Sequence, residues 1–163
     1  MPLTWPTWTD DDGTGTTGTI LNNAQHAADA TAINNAFIWT AVAFSAGDFT
    51  GNGAMTWTVA SGDVITNAYI KIGRTMMWSV HLDTTTVGGT PNSSLRLTIP
   101  GGFTAAGAQS VKCSITIDNN VVSQAHATTS GTLVEVIRDD FANWTASANL
   151  TYVYFTIIFQ TTA

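Results

Sequence analysis

Glutamate, lysine and arginine are nearly missing from this chain: Glu135 is its one Glu, and Lys71, Arg74, Arg96, Lys112 and Arg138 are all of its cations. Long helices cover their wet surfaces with those three residue types, so their scarcity argues against a helical protein. Charged residues make up only 10% of the 163, against about 25% in an average soluble domain, which leaves Thr, Ser and Asn to supply the polar surface. A net charge of −6 with scattered cations offers nothing to neutralise a phosphate backbone or hold an anionic bilayer, which speaks against nucleic acid as a partner. Cys113 stands alone, so no internal disulfide forms, and stability has to come from core burial and from subunit contacts. No apolar run approaches the length of a membrane span, and the start, Met1-Pro-Leu-Thr-Trp-Pro, lacks the basic and apolar regions of a signal peptide. The expectation is a protein without membrane insertion, one domain in size with a short appendage.

What is present divides the chain. Residues from Met1 to about Thr19 are rich in Pro, Trp, Asp, Gly and Thr without apolar periodicity, which describes an irregular arm. From about Asn22 to Asn35 alanine dominates, with Asn at both ends to cap, and one short helix is predicted there. Such a helix buries little by itself and needs something to pack on. From Phe37 the period changes to two. Met55, Trp57 and Val59 alternate with threonines; Met76, Trp78, Val80 and Leu82 alternate with Thr75, Met77, Ser79, His81 and Asp83. Leu95, Leu97 and Ile99 repeat the pattern, as do Val111, Cys113, Ile115 and Ile117. These are half-buried strands. Asp118-Asn119-Asn120 predicts an antiparallel hairpin, because Asn and Asp tolerate the left-handed conformations of tight turns. With about eight or nine strands and no helices between them, the predicted fold is all-β: residues 37–163 form an antiparallel, jelly-roll-like sandwich, and residues 1–36 an arm and helix for attachment and oligomerisation.

The last strand departs from one-sided alternation. Leu150, Tyr152, Tyr154 and Ile158 share one parity and Val153, Phe155, Ile157 and Phe159 the other, so both faces want burial. An antiparallel strand in a thin sandwich usually keeps one wet face, and covering both calls for a helix, a long loop or a neighbouring subunit. The expectation is a homo-oligomer contact built from Tyr152, Val153, Tyr154, Phe155, Ile157 and Phe159.

Candidate chemistry is thin. Asp10-Asp11-Asp12-Gly13 invites a calcium reading, but consecutive acids followed by Gly and Thr do not have the alternate spacing of a calcium loop, and a turn is the better account. His26, His81 and His126 show no zinc-type spacing, no Gly-x-Ser-x-Gly elbow is present, and one Glu leaves little choice for paired carboxylates. The glycine-rich run Gly13-Thr-Gly-Thr-Thr-Gly follows no strand and precedes no Lys, so it is a loop rather than a phosphate cradle. The chain is therefore expected to be non-enzymatic, with no cofactor and no metal. Among the tryptophans, Trp57 and Trp78 have core parity, whereas Trp144 sits in a polar stretch and is the best candidate for a sugar-stacking platform.

Two stretches carry a resemblance. The run from Trp5 to Asn22, WPTWTDDDGTGTTGTILN, looks like the opening of tail-fibre, tail-tip and related virion proteins of tailed bacteriophages, where it precedes a short helix. The run from Gly53 to Val59, with Gly62-Asp63-Val64, Gly73-Arg74-Thr75-Met76, Thr86 to Pro91 and Leu95 to Pro100, is similar to a phage-associated β-sandwich. The resemblance implies a symmetric virion component, commonly trimeric, attached to other virion proteins by its N-terminal arm and exposing the sandwich to a host surface glycan. The alternative reading is a lectin-like carbohydrate-binding module.

Overall fold

The computed structural model describes residues 23–162. The chain divides into two units, residues 1–36 and 37–163. In the first, helix α1 spans Asn23–Ala36, and the described side chains from Ala28 to Ile33 are exposed. The irregular arm, with the turn expected at Asp10-Asp11-Asp12-Gly13 and the glycine-rich loop that follows, lies outside the described residues. No described helix is long and apolar enough to cross a membrane.

The second unit is the antiparallel sandwich that the alternation predicts. Its strands are β1 (Thr40–Ala41), β2 (Phe49–Gly51), β3 (Met55–Thr58), β4 (Val64–Ile72), β5 (Thr75–Gly89), β6 (Ser94–Thr98), β7 (Ser110–Lys112), β8 (Ile115–Asp118), β9 (Val121–Val122), β10 (Ala125–Ser130), β11 (Leu133–Arg138) and β12 (Ser147–Gln160). A seven-stranded sheet runs β1-β4-β5-β12-β8-β9 with β3 also on β5, and a five-stranded sheet runs β2-β6-β11-β10-β7. The described strands outnumber the eight or nine expected because β1, β2, β7 and β9 are two- or three-residue pieces, too short to show a period.

The inner faces interdigitate as the pattern requires. Met76, Trp78, Val80 and Leu82 of β5 are at most 1% exposed, and they meet Leu95, Leu97, Val134 and Val136 of the other sheet, equally buried. Each core indole has its N–H satisfied, the usual condition for burying Trp: Trp78 Nε1 donates to Asn67 Oδ1 at 2.8 Å, and Trp57 Nε1 to Thr85 Oγ1 at 2.9 Å. Thr85 Oγ1 in turn donates to the Thr151 carbonyl at 2.9 Å.

Two local devices shift the parity of single strands. In β5, Thr84 takes φ +54°, and the ladder passes from Leu82↔Val153 to Thr85↔Thr151, so β5 carries an extra residue there. A β-bulge of this kind moves the inward side chains from even to odd numbers, and Thr85 and Val87 are buried as a result. The second device corrects an expectation. Val111 to Ile117 is not one strand: β7 belongs to the five-stranded sheet and β8 to the seven-stranded one, and the chain crosses between them at Cys113 and Ser114. Val111 and Cys113 pack on the core, but beyond the crossing Thr116 and Asp118 point inward and Ile115 is 48% exposed. The predicted hairpin forms, with Asn119 at φ +49° and Asn120 at φ +64° joining β8 to β9, the pair of positive φ values that a two-residue hairpin of matching twist requires. At the far end of β5, Gly89 has φ +67°, and a Cβ there would lie 2.3 Å from the Ala54 carbonyl oxygen, so only glycine fits beside β3.

Candidate functional site

Strand β12 presents different residues to its two sides. Val153, Phe155, Ile157 and Phe159 are at most 2% exposed, covered by the second sheet of the same chain; Phe155 meets Trp78 edge-on at 6.1 Å. This corrects the sequence expectation for those four residues, which are core and have no surface to offer a neighbour. The other parity, Tyr152, Tyr154 and Ile158, faces outward.

Directly paired residues on neighbouring strands share a face, so the register lays out the whole outer surface of the seven-stranded sheet. Ile72, Thr75 and Gln160 form one row, Ile70, Met77 and Ile158 the next, then Ala68, Ser79 and Thr156, then Thr66, His81, Tyr154 and Ile115. Tyr152 lies opposite Ile117, which pairs with Val122. Ile158 is 56% exposed and Ile72 45%. Ile70, Ile72, Thr75, Met77 and Ile158 line a hollow of about 310 Å³. The His81 ring stacks on Tyr154 with centroids 4.8 Å apart and planes 25° from parallel, and its Nε2 lies 2.9 Å from Asp83 Oδ1. Further apolar surface leads into β1, where Phe37, Ile38, Trp39 and Phe44 are all more than 40% exposed and Ala41 pairs with Ala68.

The outer face of the five-stranded sheet is built differently. Its central row runs Thr50, Arg96, Glu135, Thr128 and Ser110, with Arg96 Nε donating to Glu135 Oε1 at 2.7 Å. The adjacent row pairs His126 with Lys112, and both are bound to Asp139: His126 Nδ1 sits 2.9 Å from Oδ1 and the Lys112 ammonium contacts Oδ2. Lys112 first, then His126, hold the Asp139 carboxyl below the usual range. Hydroxyls and paired charges of this kind make an ordinary wetted surface, and the contrast with the opposite face is a chemical asymmetry of the sandwich.

Trp144 does not stand where the sequence places it. It is 1% exposed, and its Nε1 donates to the Val136 carbonyl at 3.3 Å while its backbone N–H donates to Asn92 O at 2.9 Å. The polar residues around it form a loop that folds the ring into the end of the core, which removes it as a sugar platform. Behind it, Asp118 is 3% exposed yet accepts hydrogen bonds from Arg138 Nη1 at 2.5 Å, Thr145 N at 2.9 Å and Thr145 Oγ1 at 2.9 Å. Arg138 also grips Asp140 through Nε and Nη2 at 3.1 and 2.6 Å. This cluster is a tie between β8, the end of β11 and the loop before β12. Among the described residues no three His, Cys, Asp or Glu side chains are grouped to hold a metal ion.

Nothing in the sequence marks which outer face is apolar, because both sheets alternate; the signal is the Tyr152, Tyr154 and Ile158 parity once the opposite parity is known to be covered. Compared with known proteins, the chain matches no family model, no curated protein and no solved structure.

Proposed function

We propose that this chain is a structural and adhesive virion subunit of a tailed bacteriophage, assembling as a homotrimer through the outer face of the seven-stranded sheet. One observation carries the assembly part: that face carries Ile70, Ile72, Met77, Ile158, Tyr154 and Ile115 on either side of a small row of Ala68, Ser79 and Thr156, while the central row of the opposite outer face is made of charges and hydroxyls. Four strands spaced ~4.8 Å apart and nine residues at ~3.4 Å each give a footprint of roughly 600 Å², comparable with the ~800 Å² per partner of a standard stable interface. Counted with its hydroxyl row, the face is at the upper end of the patch size found on monomers, and patches of that size are often functional. A second copy of the chain is the natural cover: a trimer takes a heterologous, face-to-edge contact, and apolar surfaces meeting in this way need no charge matching. The virion assignment rests on the resemblance of Trp5 to Asn22 and of Gly53 to Pro100 to phage proteins. In it, residues 1–36 attach the subunit to other virion proteins and the sandwich is displayed toward the host surface.

Light scattering coupled to size exclusion tests the assembly: a trimer is expected at micromolar concentration, and a monomer overturns the reading. The lectin-like reading draws on a different observation. Phe141 is 75% exposed in a left-handed conformation at φ +55°, edge-on to His126 with centroids 6.3 Å apart, a ring placed for stacking on a sugar. Glycan binding by a monomer would favour that reading over assembly.

A further inference from the structure

The turn that leaves β11 presents an aromatic ring to solvent at a backbone cost. Phe141 N–H donates to Arg138 O at 3.0 Å, which closes a tight turn through Asp139 and Asp140, and Ala142 N–H donates to Asp140 Oδ1 at 3.1 Å. Phe141 itself lies in the left-handed region at φ +55°. Gly or Asn suits that conformation, and a bulky side chain there is an outlier. Burial does not offset the cost, since the ring is 75% exposed with the His126 ring as its aromatic neighbour. The turn is nevertheless held firmly, because Arg138 grips Asp140 on one side and Asp118 on the other. Strain kept at a rigid, exposed position points to use rather than packing.

The polar groups beside the ring narrow the ligand. His126 Nδ1 lies 2.9 Å from Asp139 Oδ1; with the N–H there donating to the carboxylate, Nε2 is an acceptor without a partner among the described residues. Lys112, paired with His126 across β7 and β10, contacts the other oxygen of Asp139, and its side chain is 70% exposed. An ammonium has three N–H donors, so Lys112 keeps donors for a ligand. Asp139 is matched by Lys112 and His126, and Asp140 by Arg138, so this corner has neither an unmatched cation for an acidic sugar nor an unmatched carboxylate for an amino sugar. We propose that it is a subsite for a neutral pyranose, whose C–H face stacks on the Phe141 ring while its hydroxyls pair with His126 Nε2 and the Lys112 ammonium. Such a subsite rests on the lectin-like reading of Phe141, to which it adds the class of sugar and the polar contacts. It is built on the five-stranded sheet, so it is compatible with assembly through the other one.

NMR of the full chain during titration with methyl β-galactopyranoside to about 10 mM tests the subsite; this sugar has an unbroken C–H face to meet the negative face of an aromatic ring. Saturable shifts are expected at the Phe141 and His126 ring protons and along the Lys112 side chain. Phe141→Gly relieves the left-handed backbone, so the variant folds at least as well, yet it should weaken binding by about tenfold. Phe141→Trp keeps a platform and should keep the binding, whereas Lys112→Met removes a donor and should weaken it. Equal affinity in Phe141→Gly overturns the subsite. Saturable shifts confined to another part of the sandwich overturn it too, while leaving the lectin-like reading in place. The absence of any saturable shift removes both.

Discussion

His81 and Tyr154 face each other across β5 and β12 as a stacked pair, 4.8 Å between ring centroids, on an outer sheet face where the next row is Ala68, Ser79 and Thr156, with Ile70, Met77 and Ile158 beyond it, and where Tyr152 and Ile117 lie on the other side. Their position makes the face testable one residue at a time.

Replacing Ile158 and Met77 by Lys places two ammonium groups in that face without touching the core, since Ile158 is 56% exposed and Met77 points to the same side. The double variant is expected to keep its circular dichroism and lose its assembly, with the mass falling to that of one chain. The same mass as the unaltered protein would show that the face is not the contact.

Asp118→Ala leaves Arg138 without its buried partner and Thr145 N–H without an acceptor. Breaking a buried ion pair costs about 3–5 kcal/mol; Arg138 retains Asp140, which keeps the expected loss near the lower end. Urea denaturation should show a lowered midpoint, and loss below 1 kcal/mol would mean that the tie is not cooperative with the fold.

Phe141→Gly should stabilise the sandwich. The left-handed conformation costs an ordinary residue roughly 1–2 kcal/mol, Phe141 is 75% exposed, and little burial offsets that cost. The melting temperature is expected to rise; a fall would show that the contact with His126 outweighs the backbone strain.

Acid should weaken the corner of β7, β10 and β11. The Asp139 carboxyl is held low by Lys112 and then His126, and that of Asp140 by Arg138. Groups with a depressed folded pKa contribute stability that is present above their unfolded value, about 4 for Asp, and lost as pH falls through the folded value. The melting temperature should therefore fall modestly below about pH 4, and Asp139→Asn should flatten that slope. An unchanged slope in the variant would remove Asp139 from the account.

Cys113 should be inert in the folded protein. Burial pushes its thiol up to about 12, with the Thr116 hydroxyl pulling the other way, so almost no thiolate exists at pH 8. A thiol-specific reagent should react only on unfolding; rapid reaction with the native protein would contradict the burial.

The alternating period of residues 55–59, 76–82 and 95–99 is local information, and it determined the all-β class, the inward tryptophans Trp57 and Trp78, and the Asn119-Asn120 turn, because backbone pleating and positive-φ turns depend only on neighbouring residues. What the period leaves open is where a strand changes its partner and what covers each parity. Whether Val111 to Ile117 was one strand or two depended on the crossing at Cys113, whether Thr85 or Thr84 faced inward depended on a bulge, and whether Trp144 was platform or core depended on a loop folding back over Val136. For β12 the alternation named two apolar parities; only the arrival of the five-stranded sheet decided that Val153, Phe155, Ile157 and Phe159 are satisfied within the chain and that Tyr152, Tyr154 and Ile158 are left facing out. Burial is a property of pairs of surfaces distant in sequence, and a one-dimensional pattern carries only one member of each pair.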